Sequence, residues 1–90
     1  MFKIIFTESY TRRAQKFIRK HPELTDQYQK TLQLLEINPG HPSLRLHKIH
    51  GKFMDTYSVS INITYRIIIE FIIQESTIIP VDIGSHDEVY

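Results

Sequence analysis

Cysteine is absent from the 90 residues, so neither disulfides nor thiolate metal ligands can reinforce the chain. That suits a reducing cytosol and leaves stability to apolar packing alone. Long hydrophobic runs are lacking too. The stretch Met1–Phe6 breaks at Thr7-Glu8-Ser9, and the run from Ile67 to Ile73 is interrupted by Glu70. Both fall far short of the roughly 18 apolar residues that a membrane span needs. No secretory leader is visible, and we expect a soluble, cytoplasmic protein with no membrane association. Charge of one sign is also scarce: 11 Lys and Arg against 10 Asp and Glu leave a formal net charge of +1. A globally basic nucleic-acid binder is thereby excluded, and only local patches remain. Repeats, low-complexity stretches and linkers are missing as well, which points to a single domain over residues 1–90.

Hydrophobic residues make up 41% of the chain, enough for one compact core. Phe2–Thr7 has the length and composition of a strand. Thr7 or Ser9 can cap a following helix, with Glu8 in its first turn and Tyr10, Ala14, Phe17 and Ile18 at helical spacing. Arg12, Arg13, Lys16, Arg19 and Lys20 cover its remaining surface, most simply as a solvated face. His21-Pro22 interrupts the pattern, and Pro22 fits the first turn of a second helix. Leu24, Tyr28, Leu32 and Leu35 trace one face of that helix, which Asn38-Pro39-Gly40 stops. Leu44–Ile49 alternates and reads as a short strand or an extended loop. Tyr57–Ile61 and Tyr65–Phe71 form a hairpin around Asn62-Ile63-Thr64, and Thr77–Ile83 follows a turn at Gln74-Glu75-Ser76. Pro80 cannot donate to a ladder, so the last strand has a free edge there or bulges. The expected fold is α+β, in the order β-α-α-β-β-β with an optional short strand before the last three. Its C-terminal strands form an antiparallel meander, and a helical hairpin packs on the sheet.

This layout resembles the RelE/ParE toxin superfamily, and three segments carry the resemblance. Leu46-His47-Lys48-Ile49-His50-Gly51 is similar to the Leu-x-Lys-Leu-x-Gly element before the sheet. Tyr57 to Ile67 resembles the Tyr-x-x-x-Ile/Val-x-x-x-Tyr-Arg-Ile hairpin. Gly84-Ser85-His86-Asp87-Glu88-Val89-Tyr90 is similar to the Gly-x-His-x-x-x-aromatic ending of YafQ-type members. The resemblance implies the small RelE-like fold and, among RelE, YafQ and HigB relatives, cleavage of messenger RNA in the ribosome. ParE relatives inhibit DNA gyrase instead, so fold alone does not choose between them.

RNA cleavage by its own 2′-hydroxyl needs a base, an acid and cations around the phosphate. Histidine suits both proton roles, and the planar fork of arginine suits the phosphate. By resemblance to the YafQ ending, His86 is the general acid or base; the plain alternative is an exposed histidine beside Asp87. Arg66 shares a strand face with Ile68 and Glu70. It matches an arginine that RelE-type toxins use on the scissile phosphate, and the alternative is an ion pair with Glu70. His47 aligns with a functional histidine of YafQ-type toxins, which gives catalytic candidates His86, Arg66 and His47. Lys48, His50 and Lys52 are candidate RNA-binding residues or simply a solvated basic loop. Tyr90 can stack on a base or cover the core edge. YafQ-type members carry a further histidine and aspartate in the first hairpin strand and its turn. Here that region reads Ser58-Val59-Ser60-Ile61-Asn62-Ile63-Thr64, with neither.

No cofactor and no metal are expected, because His47-x-x-His50 with Asp82 lacks a helical metal motif. Ser85-His86-Asp87 are neighbours in sequence and form no nucleophilic triad. The expected function is a toxin of a type II toxin-antitoxin system, a metal-independent endoribonuclease. Its partners would be messenger RNA, the ribosome and a cognate antitoxin, with which it would form up to a heterotetramer. The alternative is a ParE-like gyrase inhibitor or an inactive binding module.

Overall fold

The computed structural model describes residues 1–49 and 56–89. In chain order it contains β1 (Lys3–Ile4), α1 (Glu8–Lys20), α2 (Thr25–Ile37), β2 (His47–Ile49), β3 (Thr56–Ser60), β4 (Tyr65–Ile72), β5 (Thr77–Ser85) and α3 (His86–Val89). The strands form one sheet in the order β1-β5-β4-β3-β2. β1 runs parallel to β5, and every other pair is antiparallel. The expected α+β architecture and C-terminal meander are therefore present, and the optional strand exists as β2.

Helix α1 starts where the Thr7 hydroxyl accepts the Tyr10 amide at 3.1 Å, satisfying one of the orphan donors of a helix start. It buries Tyr10, Ala14 and Phe17 against the sheet. Pro22 does not open α2. Pro22–Leu24 form a separate 3-10 turn, whose Pro22 carbonyl accepts the Thr25 hydroxyl at 2.8 Å, and α2 begins only at Thr25. Along α2, Leu35 is fully buried, while Tyr28 and Leu32, with Leu24 of the preceding turn, pack half-buried against the core. The two helices meet through the Tyr10 and Tyr28 hydroxyls, 2.9 Å apart. Burial beside Tyr28 pushes the Tyr10 phenol far above its ordinary pKa of 10.0.

The first strand is shorter than its apolar run, and Pro80 explains why. Lys3 and Ile4 pair with Thr77 and Ile78, and the Ile5 amide donates to the Ile78 carbonyl at 2.9 Å. The next bond of a parallel ladder would need an amide hydrogen from Pro80, which has none. Ile5 and Phe6 are consequently exposed. Between β4 and β5 the pairing steps from Ile68–Asp82 to Ile69–Pro80, leaving Val81 as the extra residue of a β-bulge. Both alternatives open at Pro80, a free edge and a bulge, are realised.

Tyr57, Val59, Tyr65, Ile67, Ile69 and Ile78 face the helices and make the core with Tyr10, Phe17, Leu35 and Leu44. The opposite face of β3 and β4 carries Thr56, Ser58, Ser60, Arg66, Ile68 and Glu70, by strand alternation. No helix among the described residues is long and apolar enough to cross a membrane.

Candidate active site

Cross-strand register fixes which side chains share the face of the sheet turned away from α1 and α2. His47 on β2 stands opposite Ser58 on β3, and Ser58 stands opposite Ile68 on β4. One step along, Arg66 lies between Ser60 on β3 and Gly84 on β5. Directly paired residues point to the same side, so His47, Ser58, Ser60 and Arg66 form one polar surface. Neighbouring strands lie about 4.8 Å apart and residues rise about 3.4 Å along each, so two strands across and two residues along put the backbones of His47 and Arg66 about 12 Å from each other.

The Arg66 guanidinium does not turn to Glu70. It leans across to the row of His47, and its Nη1 donates to the Ser58 hydroxyl oxygen at 3.2 Å. Ser58 is completely buried, so this bond ties the arginine to a fixed point of the sheet. The His47 ring is exposed, with Nδ1 3.3 Å from the Arg45 carbonyl. A carbonyl can only accept, so in the neutral ring this contact places the proton on Nδ1 and the lone pair on Nε2.

His86 is the first residue of α3, two positions past the cross-strand partner of Arg66. Its side chain is 66% exposed, with Nδ1 3.7 Å from the Asp87 carboxylate. The turn that presents it is held by a reciprocal cap. The Ser85 hydroxyl accepts the Glu88 amide at 3.3 Å, and the Glu88 carboxylate accepts the Ser85 amide at 2.9 Å. The Ser85 amide, and after it the Ser85 hydroxyl, hold the Glu88 carboxyl below its usual range, with Lys20 and His21 adding smaller contributions in the same direction. Gly84 lets this turn fold back closely: a Cβ there would meet Glu88 Cβ at 3.2 Å and Val89 Cγ1 at 3.3 Å.

Arg66 and His86 are thus brought to neighbouring strands, with His47 two strands from Arg66 on its other side. Lys48 does not join them. It pairs with Tyr57, whose side chain faces the helices, so it belongs to the opposite side of the sheet edge. His50, Lys52 and Tyr90 lie outside the described residues. Among the described residues no cluster could hold a metal ion. One residue bonded to a candidate is not evident from the sequence alone. Ser58 was hidden because nothing in Tyr57–Ile61 marks one serine as an arginine anchor. The Ser85-x-x-Glu88 spacing, by contrast, is a capping signal that the sequence itself carries.

The helical side offers different chemistry. An open groove of about 1160 Å³ runs between α1 and α2, lined by Phe6, Tyr10, Ile18, Tyr28 and Leu32 with Arg19 among the polar contributors. Phe6 is half exposed there, and none of His47, Arg66 and His86 lines the groove.

No protein-family model matches the chain, and no curated protein matches its sequence. Solved structures do match its fold. A metal-bound toxin from Helicobacter pylori superposes with a TM-score of 0.80 at 20% identity, covering 100% of both chains. The YafQ chain of the Escherichia coli DinJ-YafQ complex gives 0.81 at 11% identity, over 100% of this chain and 99% of that one. The archaeal RelE-RelB complex from Pyrococcus horikoshii gives 0.72 at 14% identity, over 93% of each chain. Element order, sheet order and these superpositions agree that this chain has the fold of the RelE/ParE toxins.

Proposed function

We propose that residues 1–90 act as one toxin domain of a type II toxin-antitoxin system, a cytoplasmic, metal-independent endoribonuclease that cleaves messenger RNA on the ribosome. One observation carries this reading: Arg66 shares its face with His47 on one side and with Gly84 on the other, and the turn that begins at His86 folds back over Gly84. In-line displacement at phosphorus needs a base and an acid on opposite sides of the phosphate, with a cation between them. In the proposed reaction the His47 imidazole takes the proton of the 2′-hydroxyl, whose oxygen attacks the adjacent phosphorus. Arg66, braced by Ser58, binds the phosphate oxygens as negative charge builds. The bond to the 5′ oxygen breaks, and His86 supplies the proton that this oxygen takes. The products are a 2′,3′-cyclic phosphate and a free 5′-hydroxyl.

His50 and Lys52 would contribute phosphate contacts near the site and Tyr90 a stacking surface for a base, while Lys48, on the other side of the sheet edge, would meet phosphates only away from the scissile one. Relatives of this fold have been solved with protein partners, YafQ with DinJ and RelE with RelB, which supports a cognate antitoxin here. The α1–α2 groove suits an acidic amphipathic segment of such a partner, since α1 carries five basic side chains against Glu8 alone.

The test is to map messenger RNA ends on programmed ribosomes with purified protein. Wild type should yield new 5′-hydroxyl ends, and His86→Ala and His47→Ala should each suppress them by about 10²-fold or more. A toxic wild type that leaves transcripts intact would overturn the reading and favour gyrase inhibition.

A further inference from the structure

The last turn of the described chain raises a question of its own. Helix α3 has only four residues and buries none of them fully, so length does not fix it and its packing is confined to the approach over Gly84. Yet His86, its first residue, must hold one orientation if it is to deliver a proton. Glu88 is exposed and contributes nothing to the core. Its carboxylate instead turns back to the Ser85 amide while its own amide is held by the Ser85 hydroxyl. Gly84, opposite Arg66, lies directly beneath, leaving no side chain between the sheet and this loop of bonds.

We infer that Glu88 is a positioning residue for RNA cleavage: by closing the Ser85–Glu88 cap it fixes the backbone on both sides of His86 and so aims the imidazole at the site beside Arg66. This inference rests on the ribonuclease reading of the same site. Glu88 touches no reacting atom in this account and acts only through the turn. A misplacement of about 1 Å in a proton donor costs up to about 10²-fold in rate, far more than an exposed cap contributes to folding of the whole chain.

The experiment compares the full chain with Glu88→Ala, Glu88→Gln, Ser85→Ala and His86→Ala in steady-state RNA cleavage, alongside thermal unfolding. Glu88→Ala should lower kcat about tenfold or more with KM within twofold and Tm unchanged. Glu88→Gln, whose amide oxygen can accept the same Ser85 bond, should recover most of the loss, and Ser85→Ala should reproduce part of it. Glu88→Ala at wild-type kcat overturns the inference. So does a Gln variant as impaired as Ala, or a loss that tracks a fall in Tm. Failure of the ribonuclease reading looks different: wild type would not cleave, or His86→Ala would cleave normally.

Discussion

Arg66 illustrates how a strand residue can be set up for the phosphate role proposed for it. Its neighbours on β4 are Tyr and Ile, and its guanidinium leaves its own row to bond the buried Ser58 hydroxyl. Lysine at this position would keep the charge but lose the fork that can hold Ser58 and a phosphate together. Arg66→Lys should therefore lower kcat by about 10²-fold while the fold is retained, a pattern to check by single-turnover cleavage and circular dichroism. Ser58→Ala should cost less, because it frees the arginine without removing it. The sequence showed that Arg66 faces away from Tyr65 and Ile67, since strand alternation is local. It could not show the turn toward Ser58 rather than Glu70, because that choice depends on a second strand. The tie to Ser58 exists only once β3 and β4 are in register.

Among the elements, α1 and α2 were legible because their apolar residues repeat at helical spacing and their stops are marked by His21-Pro22 and Asn38-Pro39-Gly40. The start of α2 was misjudged by three residues, because proline is tolerated equally in a 3-10 turn and in a first helical turn. The reach of β1 was overestimated for a different reason. The residue that ends it, Pro80, is remote in sequence and becomes its neighbour only in the sheet. Helix α3 has a pH dependence that can be measured. The Glu88 carboxyl is depressed in the folded chain, chiefly by its bonds to Ser85 and then by Lys20 and His21. Stabilisation of the turn is therefore present above the ordinary value of 4.5 and is lost as pH falls through the lower folded value. NMR shifts of the Ser85 and Glu88 amides should follow that loss while the core signals stay in place. Gly84→Ala should loosen the same turn at neutral pH, since its methyl group would press on Glu88 and Val89.

For the molecule as a whole, the Tyr10–Tyr28 contact ties the helical layer together and predicts sensitivity to alkali. Burial raises the Tyr10 pKa, so its stabilisation is complete below 10.0, the unfolded value, and declines as the pH climbs beyond it. Tyr10→Phe should blunt this alkaline loss in unfolding experiments, with Tyr28 left to bond water. Ile69→Ala, by contrast, should cost about 2–5 kcal/mol at every pH, because it empties a fully buried position. The sheet order also bears on synthesis. β1 and β5 are neighbours in space but stand near opposite ends of the described chain. Until translation has passed residue 85, β1 has no strand to join and β4 has a bare edge. Long-range pairings of this kind form late. A nascent chain stalled before β5 should thus be protease-sensitive, and resistance should appear only once β5 has been made and the sheet can close on both of its sides.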